Sequence, residues 1–289
     1  IMMPFAVGRK ALKIAKEKGI PVSAGFHVQA ENVTAHFFNL MNCRLANKLV
    51  YQDFWNNFYK DVDAIHYPTQ FIRDTFEKAI HHTTPGYVIS NGVSNEFHHL
   101  DIERDPELKG KFVILMSGRY SKEKKQTLLI KAVARSQYKK DIQIIFAGSG
   151  PREKEMRKCA MKHGVEPIYR FFKRDELIRY LNMSDLYVHT SEIEIEAISC
   201  LEAISCGLVP LINNSPRSAT KSFALSKNCL FKLNDVNDLS HKIDYWFEHP
   251  EEKEELAKKY QSYCKQFDFD TCMKKMVDLV EETAKKKKI

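Results

Sequence analysis

The chain has 289 residues, 44% hydrophobic and 28% charged, a soluble globular mix with enough length for two cores. A net charge of +8 suits a phosphate-tracking surface, but no aromatic-plus-basic cluster or nucleic-acid motif accompanies it, so nucleic acid is not an expected partner. No apolar stretch reaches membrane-spanning length, no secretory signal is visible, and seven scattered cysteines contain no C-x-x-C pair, which favours a reducing, cytoplasmic compartment with free thiols.

In chain order, the pattern predicts a helix over 8–18 closed by Gly19, then a strand over 20–26 that ends at His27. An aromatic-rich helical region follows over 33–59. A strand at 64–67, a helix at 69–79 and a strand at 87–89 come next. The polar stretch 95–110 carries Pro106 and charges of both signs and reads as a linker, with 98–110 as its centre. From Lys111 onward apolar strands at 112–116, 142–147, 185–190 and 208–212 alternate with helices, the pattern of an α/β parallel sheet with crossover helices. Helices over 238–247, 251–267 and 271–285 close the chain, followed by the run Lys285-Lys-Lys-Lys288. The expected division is a first domain over 1–97, the linker, a second domain over 111–270, and a C-terminal helix and basic tail over 271–289. The lysine run reads equally as a solvated end or as a contact with anionic lipid, where each charge contributes roughly 1 kcal/mol.

The segment 191–207 carries the chemistry. Glu194 follows an apolar strand, and ligands bind at the carboxyl ends of strands in open α/β sheets. Glu202 lies eight positions on, inside the apolar run 197–206 of a helix ended by Gly207. Two carboxylates suit the hydroxyls of a polyol. Glu192, Glu194 and Glu196 alternate with Ile193 and Ile195, so they read alternatively as one solvated face. Glu202 resists that reading, because a lone acid is seldom buried without a partner.

Upstream, the strand 112–116 runs into Ser117-Gly-Arg-Tyr-Ser-Lys-Glu-Lys124, a glycine turn and cations before a helix, which makes an anion site. Gly148-Ser-Gly150 is a weak phosphate-loop signal and reads better as a structural turn. Asp61-Val-Asp63 and Asp268-Phe-Asp270 are not read as metal sites; Asp270 is expected to cap the last helix with Thr271.

The ordered set of motifs resembles retaining glycosyltransferases of family 4. Ser191-Glu-Ile-Glu194 with Leu201-Glu-Ala-Ile-Ser-Cys-Gly207 matches that family's Glu-x7-Glu signature, Gly118-Arg119 with Lys124 its diphosphate element, and Val88-Ile-Ser-Asn-Gly-Val93 the turn that ends its first domain. Ile195 and Ala197 stand where its glycines are usual, and Lys122 and Lys125 where proline and glycine are commoner. The resemblance implies a GT-B fold: two Rossmann-like domains facing a cleft, the N-terminal one incomplete, since the family places further βα units before the 8–18 helix. It implies a UDP- or GDP-hexose as co-substrate, with no metal and no other cofactor. Donor contacts fall on Gly118, Arg119, Lys124, Glu194, Glu202 and the backbone amides of Glu196, Ala197 and Ile198. His27, in Phe26-His-Val-Gln-Ala-Glu-Asn32, matches the family's histidine loop facing the reaction centre, with Glu31 and Asn32 towards the acceptor. The expected function is retaining hexosyl transfer to a glycan or glycolipid, from the cytoplasm or peripherally at the inner face of a membrane. The alternative is a non-catalytic nucleotide-sugar-binding module of the same fold.

Overall fold

The computed structural model describes residues 1–36 and 40–286. The chain divides into two compact units: Ile1–Gly92 together with Phe269–Ile289, and Val93–Asp268.

The first unit opens with helix α1 (Ala6–Glu17), which buries Gly8 and Leu12. Strand β1 (Ser23–Gly25), helices α2 (Ala30–His36) and α3 (Arg44–Asn57), strand β2 (Ala64–Tyr67), helix α4 (Gln70–Ile80) and strand β3 (Gly86–Val88) follow. The three strands form a parallel sheet in the order β1-β2-β3, with Ala24 opposite Ile65 and His66 opposite Tyr87. The aromatic residues of the sequence make its core. Phe26 is fully buried, and its ring centroid lies 4.5 Å from Phe76, 5.0 Å from Tyr59 and 5.4 Å from Tyr67, spacings at which aromatic pairs attract beyond their burial. The expected helical region 33–59 is thus broken into α2 and α3 with short 3-10 turns. Its residues 37–39 lie outside the described residues, as do residues 287–289, which include the end of the lysine run.

The second unit runs through β4 (Phe112–Ser117), α5 (Gln126–Val133), β5 (Ile142–Ala147), α6 (Glu153–His163), β6 (Ile168–Arg170), α7 (Arg174–Asn182), β7 (Leu186–His189), α8 (Ile198–Ser205), β8 (Pro210–Asn213), β9 (Leu230–Phe231), α9 (Val236–Glu248) and α10 (Pro250–Cys264). All strands pair in parallel, in the order β6-β5-β4-β7-β8-β9. Counted by appearance this is 3-2-1-4-5-6, the doubly wound order of dinucleotide-binding sheets. A strand buried on both faces needs a continuous apolar run, and Val113, Ile114, Leu115 and Met116 are each at most 1% exposed. The short edge strands β6 and β9 escaped the sequence reading, because three and two residues carry no periodicity.

The stretch expected as a linker behaves differently. Residues 98–110 pack onto the second unit: Leu108 is fully buried, the Leu100 N–H donates to Asn182 Oδ1 at 2.7 Å, and the Arg104 guanidinium donates to Asp185 at 2.6 Å. Charges on this stretch pair with the second unit, Arg104 with Asp185 and Asp105 with Arg179, and Leu100, Ile102 and Leu108 reach the core. The last helix, α11 (Phe269–Lys285), groups with the first unit, where Cys272 and Leu279 pack with Ala64 and Ile89. It starts two residues ahead of Thr271, so Asp270 lies inside its first turn and not at the cap. Asp63 accepts from the Val22 N–H at 2.8 Å, and Asp61 pairs with Lys16 at 2.7 Å, so both members of that triplet have structural partners. The seven cysteines are free thiols. Among the described residues no helix is long and apolar enough to cross a membrane.

Candidate active site

The order of the second sheet fixes where its site lies. β4 and β7 are neighbours whose onward connections run to opposite sides, and a crevice opens at such a switch point beyond the carboxyl ends of the strands. The loop after β4 carries Gly118, Arg119 and Lys124. The loop after β7 carries Glu192, Glu194 and Glu196. The loop after β5 lies against the first of these, backbone to backbone: Gly118 N–H donates to Ala147 and Tyr120 N–H to Ser149, both at 2.9 Å. Only glycine permits that approach at 148, since a Cβ there would overlap the Gly118 carbonyl oxygen. With Phe171, Phe172 and Leu177 these loops enclose a cavity of about 440 Å³ that Arg119 also lines. The Gly148-Ser-Gly150 turn therefore shapes a site as well as serving as a turn. The Arg119 side chain is exposed and has no hydrogen bond or ion pair among the described residues.

Lys124 and Glu194 meet directly. The ammonium pairs with Oε1 of Glu194, and the two side chains are 18% and 13% exposed. His189, at the end of β7 and wholly buried, places Nε2 3.2 Å from the same oxygen. Burial by itself would raise the Glu194 carboxyl, but the Lys124 charge and the His189 contact outweigh it and hold it at about 2. Burial dominates at His189 itself and lowers its pKa, so the ring is neutral at physiological pH. The Thr190 hydroxyl donates to the Lys124 carbonyl at 2.6 Å, which ties the lysine's backbone to the end of β7. Glu194 is held in turn as a short strand extension: it bridges Ser218, and its carbonyl accepts from Ala219 N–H at 2.9 Å. Sequence reasoning missed His189. A histidine inside an apolar strand, five residues before the key glutamate, was the available signal.

The three alternating glutamates are not one solvated face. Glu192 is 5% exposed and is paired with Lys125 at 3.0 Å and with Arg217. Glu194 is largely buried on Lys124, and Ile193 between them is 2% exposed. Glu202 sits on α8, half-buried, and burial raises its carboxyl while Arg174 opposes the rise. α8 begins at Ile198, and the Ile198 N–H already donates to the Glu196 carbonyl at 3.0 Å. Of the three amides expected to meet the donor, those of Glu196, Ala197 and Ile198, the last has this partner within the chain.

The residues expected on the acceptor side, His27, Glu31 and Asn32, belong to the first unit. His27 packs its ring over Gly25, where any Cβ would overlap Nε2, and its centroid lies 5.2 Å from that of His66. Burial first, and His66 second, lower its pKa to about 4. Glu31 is 9% exposed and accepts from the Tyr51 hydroxyl at 2.9 Å, which makes it a packing partner of α3. Asn32 is exposed.

The chain is similar to known proteins in sequence and in fold. A family model described as glycosyl transferases group 1 matches residues 100–263. The catalytic domain of cholesterol-alpha-glucosyltransferase from Helicobacter pylori is 48% identical, with a TM-score of 0.53 over 54% of this chain and 98% of that one. Anabaena HepE in complex with UDP-glucose is 18% identical, with a TM-score of 0.78 over 95% of this chain and 77% of that one. Sucrose-phosphate synthase from Thermosynechococcus elongatus is 13% identical, with a TM-score of 0.75 over 90% and 67%. No curated protein matches the sequence. The likeness to the last two structures is one of fold, two α/β units with parallel sheets, the GT-B type. A family match over more than half of the chain, on the unit that holds Lys124, Glu194 and Glu202, makes this protein a member of the group 1 glycosyltransferase family.

Proposed function

We propose that this protein transfers glucose from UDP-glucose to a lipid hydroxyl, of the sterol class, with retention at the anomeric carbon, as a family 4 enzyme. The observation that carries the reading is the Lys124–Glu194 pair at the β4/β7 switch point. A departing nucleoside diphosphate builds negative charge, and preorganised cations stabilise it best. Lys124, fixed through its carbonyl and its carboxylate partner, and the exposed Arg119 supply them, with no metal required. Glu194 remains ionised at any working pH and takes the sugar hydroxyls. Glu202 takes the ribose, and the cavity walled by Phe171, Phe172 and Leu177 takes the base. His27, kept neutral by a pKa lowered to about 4, would meet the acceptor hydroxyl as a hydrogen-bond partner and not as a strong base.

The donor and the product rest on the comparisons. The Helicobacter pylori relative is by name a cholesterol alpha-glucosyltransferase, and HepE holds UDP-glucose. UDP-glucose is an α-linked donor, so an α-linked product means retention. A lipid acceptor gives the basic run from Lys285 a purpose, as a contact with anionic headgroups.

The test is transfer from radiolabelled UDP-glucose to cholesterol in anionic vesicles, with and without EDTA, and with GDP-glucose and UDP-N-acetylglucosamine as competing donors. An α-glucosyl sterol formed in EDTA supports every part of the reading. UDP-glucose binding with neither transfer nor hydrolysis would leave a binding module instead.

A further inference from the structure

Glu192 is a buried acid that the transfer chemistry does not use. Its side chain, 6% exposed, lies between the Lys125 ammonium at 3.0 Å and the Arg217 guanidinium. The three residues come from three loops: Lys125 closes the loop after β4, Glu192 follows β7, and Arg217 follows β8. Other bonds join the same loops. Glu192 N–H donates to the Glu123 carbonyl at 2.9 Å, the Ser215 hydroxyl donates to the Glu192 carbonyl at 2.6 Å, and the Asn213 amide donates to the Thr190 carbonyl at 3.1 Å. Lys125 has φ +54° and ψ +33°, the left-handed region, which a residue with a Cβ occupies only under strain and only when its surroundings enforce it. Lys125 is also the N-cap residue of α5. Its conformation sets how the chain leaves the loop that presents Lys124.

We propose that Glu192 is a positioning residue: it tethers Lys125 in the left-handed conformation, and so fixes the direction of Lys124 and the place of Glu194 two residues along from the tether. The strained residue and its anchor bracket the functional ion pair, 125 beside 124 and 192 beside 194. The effect on turnover rests on the reading of Lys124 and Glu194 given above; the tether itself does not.

Two substitutions at one position separate tethering from charge. Lys125→Met and Lys125→Gly both remove the ammonium, but only glycine adopts the left-handed conformation freely. Lys125→Met should lower kcat with UDP-glucose on the order of 10- to 100-fold, the effect of a small misplacement at a reacting centre. Lys125→Gly should stay within about threefold of the unmodified protein, the range of a substitution that strains nothing. Glu192→Gln should match Lys125→Met, and adding Lys125→Gly to Glu192→Gln should recover most of the loss. Amide hydrogen exchange over residues 118–126 should quicken in Lys125→Met and stay near the unmodified rate in Lys125→Gly. Equal behaviour of the Met and Gly variants, whether both active or both defective, overturns the proposal. If Glu192→Gln does not fold, the two Lys125 variants still decide. If the unmodified protein turns over no nucleotide sugar, the functional reading fails, and the exchange comparison still judges the tether.

Discussion

Nε2 of His189 stands 3.2 Å from Oε1 of Glu194, the oxygen that also takes the Lys124 ammonium. Both partners of this carboxylate gather on one oxygen, on the side of β7 and the β4 loop. The arrangement keeps a largely buried acid charged, which burial alone would not allow.

A pH-dependent stability follows from that charge. The Glu194 carboxyl is held at about 2 against an ordinary 4.5. A depressed folded-state value contributes stability that is fully present above the ordinary value and is lost as pH falls towards the folded one, here roughly 3 kcal/mol in all. The difference in unfolding free energy between the unmodified protein and Glu194→Gln should therefore narrow as pH falls from about 4.5 towards 2. Denaturant melts at several acidic pH values measure it, and a difference that stays constant across that window would refute the charge assignment.

The two site cations should part company in stability while agreeing in binding. Arg119→Ala removes an exposed side chain and should leave Tm unchanged. Lys124→Ala leaves Glu194 without its cation and should cost about 1–3 kcal/mol. Both should weaken UDP more than uridine, by on the order of 1.5–3 kcal/mol each, since on the proposed reading each removes a charge-assisted bond to the diphosphate. Thermal melts and calorimetric titration with UDP and uridine check the pattern; equal losses for the two ligands would count against a diphosphate site.

Glu202 should behave in the opposite sense to Glu194. Burial raises its carboxyl, so the folded state gives up the proton less readily than the unfolded chain does, and the ionised form costs stability once pH passes the ordinary carboxylate value. Glu202→Gln should be at least as stable as the unmodified protein at pH 7, with the advantage vanishing in acid. It should bind UDP roughly 10- to 100-fold less tightly, the loss of a hydrogen bond from ribose to a charged group. A variant that melts earlier and binds UDP normally would mark Glu202 as a packing residue.

Gly148 tests the two-loop approach. Alanine at 148 would overlap the Gly118 carbonyl, and backbone cannot yield as a flexible side chain can. Overpacking of this kind costs about 1–3 kcal/mol. Gly148→Ala should lower Tm and also weaken UDP binding, because the displaced Gly118–Arg119 turn lines the cavity. A normal UDP affinity in a folded variant would detach that turn from the nucleotide.

Much of the second unit was legible in the chain. The apolar runs of β4, β5, β7 and β8 announce buried parallel strands, because a strand covered on both faces must be apolar throughout. Glu194 stands out by its place after an apolar strand and Glu202 by its place inside an apolar helix, whereas Arg119 and Lys124 stand out only through the resemblance to the family's diphosphate element. The sequence did not reveal which loops converge. That required the order β6-β5-β4-β7-β8-β9, which brings the β4 and β7 loops together. Nor did local pattern distinguish Glu192 from Glu194 or Glu196. All three share one alternation with isoleucine, and what separates them lies far along the chain: Lys125 and Arg217 for Glu192, Lys124 and His189 for Glu194. The assignment of 98–110 to the second unit and of α11 to the first has the same origin. The longer strands and helices are written in neighbours a few residues apart, so sequence alone determined them, whereas the short edge strands β6 and β9 took shape only by pairing in the sheet. Burial, charge pairing and the site depend on residues the fold brings together from a distance, so only the tertiary structure decided them.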